Sequence, residues 1–587
     1  MQGVRRNRRD PCRKVSNLNT GGERTIVRLW RDAVSAGRTG AAYVEETGPG
    51  RWREVSWEEA ARAVEELANG LLSRGIGKGD VFGIVSRTRL EWTLFDFALA
   101  SVGAITAPVY PNTSAREAAY VLEHAEAVGA LVEDETQVAK VEPLRLAHVL
   151  TPEELNELRA EGIAFAREHP AALDAASAAI GEEDLYTYIY TSGTTGPPKG
   201  CMIRHRNYYA MTSCIERIED LSLGEDVMLL YLPLAHNFGR LMSLWGAYAG
   251  FTIAFCPDPY AVADVLSQVR PTLLPSVPRV YEKAHAAIAA TIAEMSGPRR
   301  KLADWALRVG RKASILRQEG KPLPPALALQ HRLADRLVYS KVKKRFGGRL
   351  RIAISGGAPL STQIAEFFHT FDILILEGWG LTECTTAATV NRPRRFRFGT
   401  VGPAMPGVEV ATEEDGELLI RSDTVFAGYL KDDEATREVL AADGWLRSGD
   451  LGTIDADGFV RITDRKKDII VTAGGKNLSP QNIENALKTS PLVSQALVIG
   501  DRRPYVTALI TLDEAEVAKA NGEVPALVQA VVDDVNRDLS RFEQIKRFAV
   551  IPREFSPDEG EVTPTLKLKR RVIEERFARE IDELYRS

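Results

Sequence analysis

The sequence predicts an α/β protein with a large N-terminal domain of stacked, mostly parallel sheets flanked by helices, a β-rich subdomain, and a small α+β domain at the C-terminus. Three observations lead there. Short apolar strands alternate with helical patterns through Leu376, the arrangement of parallel strands joined by crossover helices. After Gly399 the texture changes to short, glycine-punctuated strands such as Gly416–Ile420 and Gly458–Thr463. Beyond Asp464 comes a compact, charge-rich section that reads as α+β.

Taken in order, the first fourteen residues hold Arg5, Arg6, Arg8, Arg9, Arg13 and Lys14 against Asp10. No apolar run follows, so residues 1–24 are expected to be a disordered basic arm rather than a secretory signal. Apolar residues at helical spacing (Ala60, Ala61, Val64, Leu67, Leu71, Leu72) predict a helix over Trp57–Arg74, ended by Gly75 and Gly77. Val81–Val85 is then a strand, Leu90–Val102 a helix, and Ile105–Val109 a second strand closed by Pro111. Further short strands are expected at Ala130–Val132, Tyr186–Tyr190, Val227–Tyr231, Thr252–Phe255, Leu350–Ser355 and Ile373–Leu376.

Leu241–Pro257 is the longest uncharged apolar stretch, but Gly246 and Gly250 interrupt it. It falls short of the roughly 20 apolar residues of a membrane-spanning helix and reads as a buried pair of elements. Residues 299–345 differ from everything around them, with fourteen lysines and arginines against three acids in two helical patterns flanking a break at Lys321–Pro325. The Asp464–Asp468 run, DRKKD, marks the main boundary, giving domains at 25–464 and 465–587.

Composition excludes several classes. With 44% hydrophobic and 26% charged residues, the 587-residue chain is not dominated by disorder. Its five cysteines are odd in number and lack any CxxC spacing, so no disulfide framework is expected and a reducing, cytoplasmic setting fits. A net charge of −5 argues against nucleic acid as a partner.

The sharpest motif is Tyr190-Thr-Ser-Gly-Thr-Thr-Gly-Pro-Pro-Lys199-Gly200. A strand runs into hydroxyls (Thr191, Ser192, Thr194, Thr195), glycines (Gly193, Gly196) and Lys199, a combination that wraps and neutralises phosphate. It is not a Walker A loop: counting from Gly193, the second glycine position is Pro198, and Lys199 precedes Gly200 instead of Ser or Thr.

This segment resembles the phosphate loop of the adenylate-forming family of acyl-CoA synthetases, luciferases and peptide-synthetase adenylation domains. Six further segments resemble the family's motifs in order: LPLAH at Leu232–His236, SGGAPL at Ser355–Leu360, EGWGLTE at Glu377–Glu383, GWLRSGD at Gly444–Asp450, DRKKD, and TPTLK at Thr563–Lys567. EGWGLTE, GGKNLSP and TPTLKLKR look most like the long-chain fatty acid–CoA ligase branch. The resemblance implies ATP-dependent activation of a fatty acid to acyl-AMP with release of pyrophosphate, then transfer to CoA. ATP, Mg²⁺ and CoA are the implied cofactor and co-substrates.

Residue by residue, the resemblance implies that Glu383 and Thr191 hold Mg²⁺. Asp450 binds the ribose diol with Arg465 nearby. Trp379, where many relatives have tyrosine, stacks on adenine above a floor of Gly356, Gly357 and Ala358, with Glu377, Gly378, Gly380 and Thr382 completing the nucleotide pocket. His236 sits beside the acyl carboxylate, and Lys567 is the catalytic lysine, with Lys569 as the alternative. Lys467 falls at the hinge about which the C-terminal domain rotates, after which Gly474, Gly475 and Lys476 face the thiol path. Some long-chain members carry a gating tryptophan where this chain has Arg240, so the gate must differ or be absent.

Two other readings were weighed. A fatty-acyl-AMP ligase serving a carrier protein would carry an extra segment near the hinge-side face, and none is seen between Thr400 and Asp464. A non-catalytic membrane-surface protein would not need Glu383, Asp450, Arg465 and Lys567 together. The basic 299–345 segment nevertheless suggests peripheral contact with an anionic membrane.

Overall fold

The computed structural model describes residues 22–191, 197–474, 476–519, 523–556, 559–563 and 567–586. The expected basic arm through residue 21, the loop residues Ser192, Gly193, Thr194, Thr195 and Gly196, and Gly475 therefore lie outside the described residues.

Two large sheets form the body. One has seven strands with a parallel core in the order Leu185–Thr191, Ile105–Val109, Val81–Val85, Ala127–Val132, His148–Leu150. Lys199–Arg204 and then Gly428–Tyr429 add antiparallel strands at its edge. The other has eight strands, with Leu374–Trp379, Ile352–Ser355, Leu273–Ser276, Val227–Leu230 and Thr252–Phe255 running parallel. The hairpin Ala41–Gly48/Arg51–Ser56 closes one edge. A four-stranded antiparallel sheet follows (Glu409–Thr412, Glu417–Arg421, Leu446–Ile454, Val460–Arg465). The α/β architecture expected from the sequence is the one found.

The apolar runs have a plain physical cause. The helices Leu90–Val102 and Asn237–Ala249 are buried around nearly their whole circumference, as helices enclosed within a core must be. Leu241–Pro257 is thus the end of a helix followed by the strand Thr252–Phe255, the expected buried pair. No described helix is long and apolar enough to cross a membrane.

At Arg240, where the gate was expected to differ or be absent, the side chain is fully buried in the core and forms no part of the wall of the cavity described below. It pairs with Asp96, donates to Thr187 Oγ1 at 2.5 Å, and packs 4.3 Å from the Tyr186 ring centroid. Asp96 also accepts from Thr106 Oγ1 and the Tyr186 hydroxyl, at 2.7 and 2.5 Å. Every arm of this ion pair is hydrogen-bonded, which offsets the desolvation that otherwise makes buried pairs unfavourable. It ties the helix beginning at His236 to the strand that ends at Thr191.

Residues from Ile470 onward build their own cores. One groups Ile483, Val498, Val506, Ile510 and Val532, and a second groups Leu497, Leu509, Phe555, Ile573 and Ile581. They lie on the two faces of a three-stranded sheet, Val493–Ile499, Val506–Leu512 and Ile545–Ile551.

Candidate active site

The phosphate-loop segment is a hairpin. Thr191 ends one strand and Lys199 begins the next, directly opposite it in register, so the two ends of the loop are neighbours. Lys199 lies 3.2 Å from Asp432 and 5.2 Å from the centre of the Tyr429 ring. The Tyr429 hydroxyl donates to Glu383 Oε1 at 2.7 Å. The Thr191 hydroxyl is bonded to the Cys201 thiol, whose proton is held firmly by burial and by the nearby Glu383 charge. Tyr429 pairs in register with Cys201 and its hydroxyl reaches Glu383, so Thr191 and Glu383, far apart in the chain, line the same cavity.

A second cluster surrounds Asp450. Leu446–Ile454 and Val460–Arg465 are antiparallel, and Asp450 pairs with Arg465 in register. Arg465 Nε donates to Asp450 Oδ1 at 3.1 Å, while Trp379 Nε1 donates to Oδ2 at 2.7 Å. Trp379 lacks the hydroxyl of the tyrosine that many members of the resembled family carry, and here its indole N–H makes the polar contact. Each carboxylate oxygen keeps a lone pair for another donor.

The floor lies at the ends of two parallel strands. Gly356, Gly357 and Ala358 follow Ile352–Ser355, and Gly357 sits at φ +84°, open to glycine and strained for other residues. Gly378 and Trp379 end Leu374–Trp379; a Cβ on Gly380 would stand 2.1 Å from the Thr386 carbonyl, so only glycine fits. Glu377 accepts from the Leu360 N–H at 3.1 Å, and burial pushes its carboxyl up to about 7. Thr382 opens the short turn that carries Glu383.

His236 caps the helix Asn237–Ala249, its Nδ1 accepting from the Phe238 N–H at 3.1 Å. Desolvation, then the Lys567 charge, push its pKa down to about 3, so the ring is neutral with its proton on Nε2. Lys567 thus reaches the N-terminal pocket from the C-terminal domain. Its backbone is pinned by Thr563, which accepts at Oγ1 from the Lys567 N–H at 3.0 Å. Its amine is reachable by solvent within the cavity but surrounded by protein, and desolvation followed by the Arg465 charge lowers its pKa to about 8 against the pull of Asp450 and Glu383.

These groups line one continuous cavity of about 3780 Å³. Its apolar arm is lined by Leu241, Met242, Val262, Leu266, Ile288 and Phe346, with Arg345 also on the lining. Lys467 lies in an exposed turn just after Arg465. Gly474 and Lys476 are exposed and do not line the cavity in this arrangement.

Sequence reasoning missed Tyr120 and His124, one turn apart on the helix Ala115–His124. The Tyr120 hydroxyl donates to the Pro198 carbonyl at 3.2 Å, and His124 Nδ1 lies 2.9 Å from the Tyr190 hydroxyl. One helix face so grips both flanks of the phosphate-loop hairpin. Nothing local in AAYVLEH signals it, because the contact spans more than sixty residues.

One cavity thus gathers Thr191, Lys199, Glu383, Trp379 and Asp450 with Lys567 from the C-terminal region, an arrangement open to a nucleotide and an acid together. Residues 30–430 match the AMP-binding enzyme family and residues 467–587 match the AMP-binding enzyme C-terminal domain. The chain belongs to the AMP-binding enzyme family. It is 36% identical to the long-chain-fatty-acid–CoA ligase FadD15 of Mycobacterium tuberculosis, over 91% of this chain and 93% of that one. It is 28% identical to the human long-chain-fatty-acid–CoA ligase ACSBG2, over 96% and 92% of the two chains. In fold it resembles the adenylation domain of a carboxylate reductase from Mycobacterium chelonae, with a TM-score of 0.77 and 21% identity over 97% of this chain and 92% of that one.

Proposed function

We propose that the protein is an AMP-forming long-chain fatty acid–CoA ligase. The reading rests most heavily on Lys567 lining one cavity with His236, Glu383, Asp450, Arg465 and the apolar arm. The relatives named as long-chain-fatty-acid–CoA ligases support the choice of substrate.

In the first half-reaction a carboxylate oxygen of the acid attacks the α-phosphorus of ATP, and the bond from that phosphorus to the leaving pyrophosphate breaks. The protein supplies position and charge rather than a covalent group. Lys567 neutralises the carboxylate and the α-phosphate as they approach. His236 Nε2–H donates to an oxygen of the acyl group. Asp450 takes the ribose hydroxyls with its remaining lone pairs, and Trp379, fixed at its N–H edge, offers its face to adenine. Lys199 and the hydroxyls of residues 191–195 bind the outer phosphates.

Glu383 and Thr191 are hard oxygen donors of the type Mg²⁺ prefers, and both line the cavity, which fits such an ion. When bound, it would neutralise phosphate charge. In the second half-reaction the CoA thiolate attacks the acyl carbon, AMP leaves, and the thiol proton passes to solvent. Rotation about Lys467 would withdraw Lys567 and bring Gly474, Gly475 and Lys476 to the pantetheine path. The exposure of Gly474 and Lys476 here supports the assignment of this arrangement to adenylation.

The test follows both halves separately. Fatty-acid-dependent exchange of pyrophosphate into ATP should proceed without CoA, and acyl-CoA should form when CoA is added. Lys567→Ala should cut exchange about 10²–10³-fold. Thioester formation from supplied acyl-AMP should remain near wild type; equal loss in both assays would remove the assignment.

A further inference from the structure

The basic segment folds as the helix Gly297–Gln318, then Pro325–Ala334, which continues through a wider turn into Ser340–Arg345. Its acids are all engaged: Asp304 with Arg300, Glu319 with Lys321, and Asp335 with Lys343. Arg317 and Lys343 are tied to Asp372 on the body of the domain. Arg308, Arg311, Lys312, Arg332, Arg336 and Lys341 remain exposed, with no acidic partner among the described residues.

The same surface carries apolar groups where a solvated helix would not. Leu329, Leu333 and Leu337 recur every fourth residue and are 69%, 50% and 38% exposed. Ile315, on the neighbouring helix, is 55% exposed. Residues four apart share a helix face, so the leucines form a stripe, with Arg332 and Arg336 as a parallel row beside it. Leu327 and Val338, by contrast, pack against the core, so the stripe is not simply the inner face of a loose helix.

We propose that this face docks on an anionic lipid bilayer, with the leucine stripe entering the interface and the arginine row meeting the headgroups. Charge complementarity selects the partner, and exposed leucines at four-residue spacing distinguish a bilayer from a nucleic acid, which offers them nothing. The segment ends at Arg345 and Phe346, which line the apolar arm of the cavity. The proposal rests on the fatty-acid reading for its purpose: an acid partitioned into lipid would be collected beside the apolar arm. Each cation within reach of an anionic surface adds roughly fivefold to partition, fading beyond a Debye length of about 10 Å.

The test is co-sedimentation of the whole protein, without ATP or CoA, with vesicles of phosphatidylglycerol and phosphatidylcholine or of phosphatidylcholine alone. Binding should be at least tenfold stronger to the anionic vesicles and fall away in high salt. Arg332→Glu with Arg336→Glu should lower it about tenfold or more. Leu329→Asn with Leu333→Asn should lower it several-fold at unchanged charge, with melting temperature and turnover on detergent-dispersed acid both preserved. Equal binding to neutral vesicles, an unaffected leucine variant, or preference for a polyribonucleotide over vesicles would overturn the proposal. Vesicle binding by a protein that forms no acyl-AMP would uphold the surface and remove the ligase reading.

Discussion

Lys567 is the residue whose environment makes the sharpest demand on solution behaviour. Desolvation within the cavity and the Arg465 charge lower its pKa to about 8, and only the cationic form can neutralise a carboxylate and a phosphate together. The cation is therefore present below pH 8 and lost as pH rises through it. In pyrophosphate exchange, kcat/KM for ATP should fall tenfold per pH unit above about 8, since that ratio reports the free enzyme. kcat should hold to higher pH, because bound phosphates favour the charged amine. Lys567→Arg, which stays protonated, should abolish the alkaline fall in whatever activity it keeps. A fall unchanged in that variant would assign the titration to another group.

At the scale of elements, the helix Ala115–His124 and the hairpin it grips form one unit. The loop must hold its amides and hydroxyls in place before ATP arrives, or binding must supply the ordering. Tyr120→Phe removes a single hydroxyl and keeps the ring against Tyr190, which it meets edge-on at 6.4 Å. A net hydrogen bond is worth about 1 kcal/mol, roughly fivefold. KM for ATP should therefore rise about three- to tenfold, while KM for the acid and the melting temperature hardly change. A proportional loss across both substrates would make Tyr120 merely structural.

At the scale of the whole molecule, the two domains touch at a small polar latch. Arg279, at the start of the helix Pro278–Ala293 that flanks the apolar arm, donates to the Ser494 carbonyl at 2.9 Å and its hydroxyl at 2.7 Å. Its guanidinium also lies 3.5 Å from Glu554, and Lys488 stands 3.6 Å from Glu282. So polar a contact suits domains that must part, and a charge-assisted bond is worth about 1.5–3 kcal/mol. Arg279→Ala should slow pyrophosphate exchange about ten- to a hundredfold by depopulating this arrangement. Thioester formation from supplied acyl-AMP should be unchanged or faster; slowing of both steps alike would mean that the latch serves folding instead.

Local pattern alone carried much of this protein. Strands such as Val81–Val85 and Thr252–Phe255 and the helix Leu90–Val102 begin and end where their apolar runs do, because the surrounding layers bury them on every side and leave no amphipathic ambiguity. Thr191, Lys199, Glu383, Asp450 and Lys567, singled out from short motifs, line one cavity, and the roles proposed for them rest on that and on the chemistry of charge neutralisation and diol binding. What only the tertiary structure decided are contacts between distant segments: Tyr120 on Pro198, Trp379 on Asp450, Arg279 on Ser494. Arg240 is the clearest case. In sequence it stands four residues after His236, where some members of the resembled family carry a gating tryptophan. In the fold it turns inward to Asp96 and Thr187, because a helix buried on all sides sends consecutive residues to opposite surroundings, and only the packing says which is which.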